Sequence, residues 1–201
     1  MHSSLVIDTL LSGIDDDVAI AYVYCDFSSR NAQTASTVLG SLLRQVLGAL
    51  AEIPDGVQKA FERAKRQADG CGPRLPEILN TLTKSLLSLK HGFICIDALD
   101  ELPTKHRAQL WKSLQRAVWE CPNTRLFLTG RPQIRTEVEG YFPAEADMTA
   151  IEPTSNDIGI YIEERLKEDI DMSAMDEGLR ADVRRIIPEN ISGMCVLIGD
   201  I

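Results

Sequence analysis

Gly92-Phe93-Ile94-Cys95-Ile96-Asp97-Ala98-Leu99-Asp100-Glu101-Leu102 decides how the chain folds. Four apolar residues, Phe93 to Ile96, run straight into a carboxylate, and two more carboxylates follow within one turn's length. An unbroken apolar run of this length suits a strand buried on both faces of a parallel sheet. Asp97 then emerges where the strand leaves the core, which is where open α/β sheets bind ligands. On this reading Asp97 is a magnesium-directed carboxylate of a nucleotide site, and Asp100 and Glu101 stand near the terminal phosphate to orient water. The plainer alternative is that acids follow a strand because loops are solvated and helix starts favour them. Three acids in the D-A-L-D-E spacing favour the site.

Working outward, 201 residues fit one α/β domain with an appended piece. A hydrophobic content of 44% and a charged content of 25% are those of an ordinary globular chain. No apolar run approaches the ~20 residues that span a bilayer. The start, Met1-His2-Ser3-Ser4-Leu5, carries no basic n-region or cleavage site, so a cytoplasmic location is expected. Cys25, Cys71, Cys95, Cys121 and Cys195 are odd in number and show no CxxC spacing, which reads as reduced thiols rather than a disulfide frame or zinc site. Residues 139–201 hold 15 acids against 5 bases, whereas residues 1–138 hold 15 against 16. The shift marks a boundary near residue 150 and argues against a nucleic-acid-binding surface, which needs clustered Lys and Arg.

Along the chain, Leu5, Val6, Leu10 and Leu11 predict a short helix over 3–11, and VAIAYVYC at 18–25 predicts a strand. From Thr34, an apolar stripe at 38, 39, 42, 43, 46, 47 and 50 predicts the strongest helix. A helix around Phe61 over 57–68 follows, with Lys59, Arg63, Lys65 and Arg66 outward on a solvated face. Pro76 opens another, with Ile78, Leu79, Leu82, Leu86 and Leu87 on one side. After Pro103, Leu110, Trp111, Leu114 and Val118 mark a covering helix, in which Trp111 and Trp119 are expected to pack rather than stack on bases. TRLFLT at 124–129 predicts a second buried strand, and 144–151 a weaker edge strand. Ser155 is the expected N-cap of a helix over 157–169 with Ile158, Tyr161, Ile162 and Leu166 inward. Leu179, Val183, Ile186 and Ile187 mark one more helix, and Pro188 is expected to start the final segment. Strands alternating with helices make an α/β fold with a parallel sheet, followed by helices.

Several strings coincide, in order, with one family. AYVYCDFS at 21–28, continuing as QTASTVLGSLLRQ at 33–45, resembles the NACHT-type NTPase domain of fungal STAND proteins. Within that group it is most similar to the nephrocystin-3-like N-terminal domain, often found upstream of ankyrin or tetratricopeptide repeats. Ile96-Asp97-Ala98-Leu99-Asp100-Glu101 looks like the family's Walker B, and LFLTGRP at 126–132 like its sensor 1 strand, usually written T-S-R-P. Asp157-Ile158 through Tyr161-Ile162 matches the D-I-x-x-Y-I start of the helical lid, and Ser192-Gly193-Met194 its S-x-G-M-F. The resemblance implies a P-loop NTPase-like (ASCE/STAND) three-layer parallel sheet, with residues 1–152 a partial nucleotide-binding core and 153–201 the start of a helical lid. It also implies ATP or GTP with Mg2+, slow hydrolysis, and self-association or contact with other signalling proteins through domains outside this chain.

Site roles follow from the same resemblance. Asp97 holds hydrated magnesium, Asp100 and Glu101 polarise the attacking water, and Thr129 and Arg131 meet the nucleotide, Arg131 at the γ-phosphate. The family's G-x-x-G-x-G-K-[ST] loop has no counterpart here, because neither Gly-Lys-Ser nor Gly-Lys-Thr occurs in the 201 residues. The chain is expected to begin inside the helix after that loop, without the strand that feeds it. Backbone donors that cradle phosphates are therefore missing from these residues. Two functions stand: a partial NACHT-type domain of a nucleotide-dependent switch, not competent for hydrolysis as it stands, or a non-catalytic pseudo-NTPase acting as a protein-interaction module. A small-molecule enzyme on a doubly wound sheet finds no nucleophile-base pair or dinucleotide glycine motif to support it.

Overall fold

The computed structural model describes residues 2–13, 17–29, 32–53, 56–59, 73–142, 147–150, 154–168 and 176–190. The chain divides into two compact units, one within residues 1–149 and one within 150–196.

The first unit is α/β. Its strands β1 (Val18–Tyr24), β2 (His91–Asp97) and β3 (Thr124–Leu128) form a parallel sheet in the order β1-β2-β3. The register places Ala21 beside Ile94 and Ile94 beside Leu126, and one pair further on Val23 beside Ile96 and Ile96 beside Leu128. Side chains alternate along a strand, so these residues share one face. They join a single core with helices α2 (Ala35–Gly48), α3 (Leu75–Leu87) and α4 (Thr104–Glu120). Leu39, Leu42, Leu82, Leu86, Leu110, Trp111 and Leu114 all have zero exposure there. Burying a side chain of this size stabilises by about 1.5–3 kcal/mol. Helix α1 (His2–Ser12) contacts β1 and β2, and its buried residue is Ile7 rather than the predicted leucines, since Leu5 is 67% exposed.

Each start and stop has a local cause. Thr34 caps α2 by accepting from Thr37 N–H at 3.2 Å while its own N–H donates to Thr37 Oγ1 at 2.7 Å. Glu77 accepts from Arg74 N–H at the start of α3, beside Pro76 in the first turn. Gly92 admits the close approach of α3, because a Cβ there would meet Leu86 Cδ2 at 2.7 Å.

Two expectations for the first unit are corrected, and one element is added. Only β2 is buried on both faces; in β3 Arg125 is exposed, so that strand alternates. Trp119 is 61% exposed, and Trp111 alone packs. A helix absent from the sequence reading, α5 (Arg135–Tyr141), follows β3 after a short 3-10 turn, with Ile134, Val138 and Phe142 buried beside it. Of the edge strand expected over 144–151, residues 147–150 are described and carry a single bridge at Thr149; the remainder lies outside the described residues. The helix predicted over 57–68 is helical at 56–59, and the remainder lies outside the described residues.

The second unit is helical, with α6 (Ser155–Glu168) packed on α7 (Glu177–Asn190). Thr154, not Ser155, caps α6: Asp157 N–H donates to Thr154 Oγ1 at 3.2 Å, and Thr154 N–H donates to Asp157 Oδ2 at 2.9 Å. Tyr161 faces outward, with the Arg165 guanidinium 5.5 Å from its ring centroid. Asp176 accepts from Leu179 N–H at the start of α7. That helix runs past Pro188 instead of ending before it. Ser192-Gly193-Met194 lies outside the described residues.

Candidate functional site

The site is built where β2 and β3 end side by side. Because the strands are parallel and in register, Asp97 and Thr129 leave the sheet together. Thr129 N–H donates to Ile96 O, its hydroxyl donates to Asp97 Oδ1 at 2.5 Å, and the same hydroxyl accepts from Ala98 N–H at 2.9 Å. Its carbonyl accepts from Leu99 N–H at 2.9 Å. A single threonine thus ties four consecutive residues of β2 and its exit. The tie matters because Ala98 sits in the left-handed region at φ 52°, which costs a non-glycine residue about 1–3 kcal/mol and persists only when its surroundings hold it.

That turn redirects the chain into a 3-10 turn, Leu99–Glu101, with Leu99 buried beneath it. Asp100 and Glu101 therefore project together, and Arg131 meets both. Arg131 Nη2 donates to Glu101 Oε1 at 2.9 Å, its Nε lies 3.5 Å from Asp100 Oδ2, and its backbone N–H donates to Asp100 Oδ1 at 3.1 Å. The Asp100 side chain is only 6% exposed, against 55% for Arg131. Gly130 makes the approach possible: a Cβ there would fall 2.4 Å from Ile134 Cδ1 and 3.2 Å from Asp100 Oδ1.

Two residues not anticipated from sequence brace the same turn. Arg107, on α4, donates to the Leu102 carbonyl at 2.7 Å and pairs with Glu137 through two 2.7 Å bonds. Glu137 also accepts from Trp111 Nε1 at 2.9 Å. The Arg107 guanidinium holds the Glu137 carboxyl below the usual carboxylate range, partly opposed by burial and reinforced by Trp111. Contacts 30 residues apart leave no periodic trace, so no sequence signal names this pair.

A cleft of about 730 Å³ opens over Asp100, Glu101 and Arg131, walled by Phe27, Arg107 and Gln133. The five predicted residues thus fall into two bonded groups, Asp97 with Thr129 and Asp100 with Glu101 and Arg131, joined through the Leu99 to Thr129 backbone bond. The negative field reaches Cys25 at the end of β1: burial, with the charges of Asp97, Asp100 and Glu101, pushes its thiol up to about 12. Among the described residues, no three His, Cys, Asp or Glu side chains are grouped to hold a metal ion by themselves. Cys25, Cys95 and Cys121 are free thiols, and no helix of the described residues is long and apolar enough to cross a membrane.

A family model described as Nephrocystin 3, N-terminal, matches residues 1–131, a span that takes in all five residues of the two groups. No curated protein and no solved structure matches the chain.

Proposed function

The chain belongs to the family of nephrocystin 3 N-terminal domains, and from that premise we propose that it is part of a NACHT-type, nucleotide-dependent signalling switch. Its residues supply the acidic, magnesium-facing half of the site. The observation that carries the reading is the shared anchoring of Asp97, Asp100, Glu101 and Arg131 at the ends of two adjacent parallel strands.

The donor set fits magnesium that arrives hydrated and bound to phosphates. Such an ion keeps several waters and takes one or two protein carboxylates, with no need for a protein cage. Asp97 is the carboxylate that would hold it through water, and the ion would neutralise charge on a triphosphate, ATP or GTP. Asp100 and Glu101 would orient water, and Arg131 would meet the terminal phosphate. Arg131 now pairs with both acids, so a phosphate must draw it away before either acid is free to act. No Gly-Lys-Ser or Gly-Lys-Thr lies in the 201 residues to cradle the phosphates, which supports weak binding and no turnover by this chain alone. The competing reading, a non-catalytic interaction module, draws on the same absent cradle and on the arginine that already satisfies the acids. Five cysteines without a paired spacing support a cytoplasmic setting.

Calorimetry and a phosphate-release assay with Mg·ATP and Mg·GTP test the proposal. Expected are millimolar, magnesium-dependent binding that weakens in Asp97→Ala and no turnover above buffer. Micromolar binding or turnover abolished by Asp97→Ala would show a complete site and overturn the half-site reading. Binding indifferent to Asp97 and to magnesium would favour the interaction module.

A further inference from the structure

The side chains of Asp100 and Glu101 meet little water, at 6% and 19% exposure. A carboxylate so placed needs a counter-ion, because a charge left unpaired away from solvent costs far more than one on the surface. Among the described residues, the cation that reaches either acid is Arg131, 3.5 Å from Asp100 and 2.9 Å from Glu101. Arg107, the other guanidinium of the cleft, is committed to Glu137 and the Leu102 carbonyl. One arginine therefore serves two acids.

The two sides of this contact are held unequally. Asp100 Oδ1 accepts from the backbone N–H of residue 131 at 3.1 Å, a bond that survives any substitution there except proline. The Arg131 side chain, by contrast, is 55% exposed and borders the open cleft beside Gln133. An ion pair with one exposed partner is screened and weak. A guanidinium also binds phosphate through the same fork that it offers a carboxylate. The arginine is thus free to leave while the acids stay, and on its departure another cation has to balance them.

We propose that Arg131 is a gate on the acidic pair: it holds divalent cations off Asp100 and Glu101, and yields only when a polyphosphate takes up its guanidinium. The polyphosphate step rests on the nucleotide reading above; the exclusion of free cations does not. Metal and polyphosphate then enter together, and neither is bound well without the other.

The test uses the full chain and Mn2+, which takes the oxygen ligands that magnesium takes and broadens the amide resonances of residues near it. Arg131→Met removes the charge and keeps the stem, while Arg131→Lys keeps the charge. Arg135→Gln removes the same charge from an exposed arginine of α5 that pairs with Glu139, outside the acidic pair. With Mn2+ alone, Arg131→Met should show broadening at Asp100 and Glu101 at about tenfold less metal than wild type. Arg131→Lys and Arg135→Gln should stay close to wild type. Adding inorganic tripolyphosphate at the same total manganese should broaden Asp97, Asp100 and Glu101 in wild type. Equal Mn2+ requirements in wild type and Arg131→Met overturn the gate, as does an Arg135→Gln chain that binds Mn2+ as readily as Arg131→Met. Those comparisons contain no phosphate, so they leave the nucleotide reading standing. Tripolyphosphate without effect on wild type overturns that reading and, with it, the opening of the gate.

Discussion

Thr129 and Gly130 carry more of the site than their size suggests. Thr129→Val keeps the shape but orphans the Ala98 N–H and frees Asp97, so a loss of about 1–3 kcal/mol in urea unfolding is expected, with the left-handed Ala98 turn losing its anchor. Gly130→Ser, the residue usual in the T-S-R-P string, should destabilise by about 1–3 kcal/mol through overpacking, because Ile134 is buried and its Cδ1 occupies the space of the new Cβ. Adding Ile134→Val removes that methyl and should recover most of the loss. Cys25 offers a third test. Its folded thiol titrates above its unfolded value, so its contribution is fully present below about pH 8.5 and is lost as pH rises toward about 12. Urea midpoints should therefore fall between pH 8 and pH 10, less steeply in Cys25→Ser. Peptide-resolved alkylation at pH 8 should label Cys25 far more slowly than in the unfolded chain. Asp97, Asp100 and Glu101 stood out in the sequence because an apolar run leads into them, and Thr129 and Arg131 through the resemblance of LFLTGRP to a sensor 1 strand; the structure sets all five at the ends of β2 and β3. Arg107 and Glu137 were not legible, since the two lie 30 residues apart with no pattern shared between them.

At the scale of elements, periodicity worked where a helix is long and one-sided. The stripe of α2 came through with Val38, Leu39, Leu42 and Val46 all buried. It failed for α5, where seven residues give too few turns to show a period and burial rests on Ile134, Val138 and Phe142. It misplaced the cap of α6 because Thr154 and Ser155 are chemically equivalent in sequence, and only geometry says which hydroxyl faces Asp157 N–H. Thr154→Ala should then cost about 1 kcal/mol in α6, measured by thermal unfolding. The Arg107–Glu137 strut ties α4 to α5 and to the turn after β2. Glu137 titrates below its unfolded value, so its stabilisation holds above the ordinary glutamate range and is lost as pH falls through the folded value. Wild-type stability should fall more steeply below about pH 4 than that of Glu137→Gln, which cannot titrate there.

For the first unit as a whole, the sheet order β1-β2-β3 sets the Asp97–Asp100–Glu101 turn at the end of the central strand of the described sheet, between β1 and the strand that leads to Arg131. The central claim is that these strand ends meet Mg·triphosphate as one site. It is tested most directly by amide NMR titration of the full chain with Mg·ATP, with magnesium alone and ATP alone as references. Shifts at Asp97, Ala98, Thr129 and Arg131 that require both components, and that vanish in Asp97→Ala, are the predicted result. Unmoved resonances at these four residues at millimolar Mg·ATP, or equal shifts with magnesium alone, would contradict it.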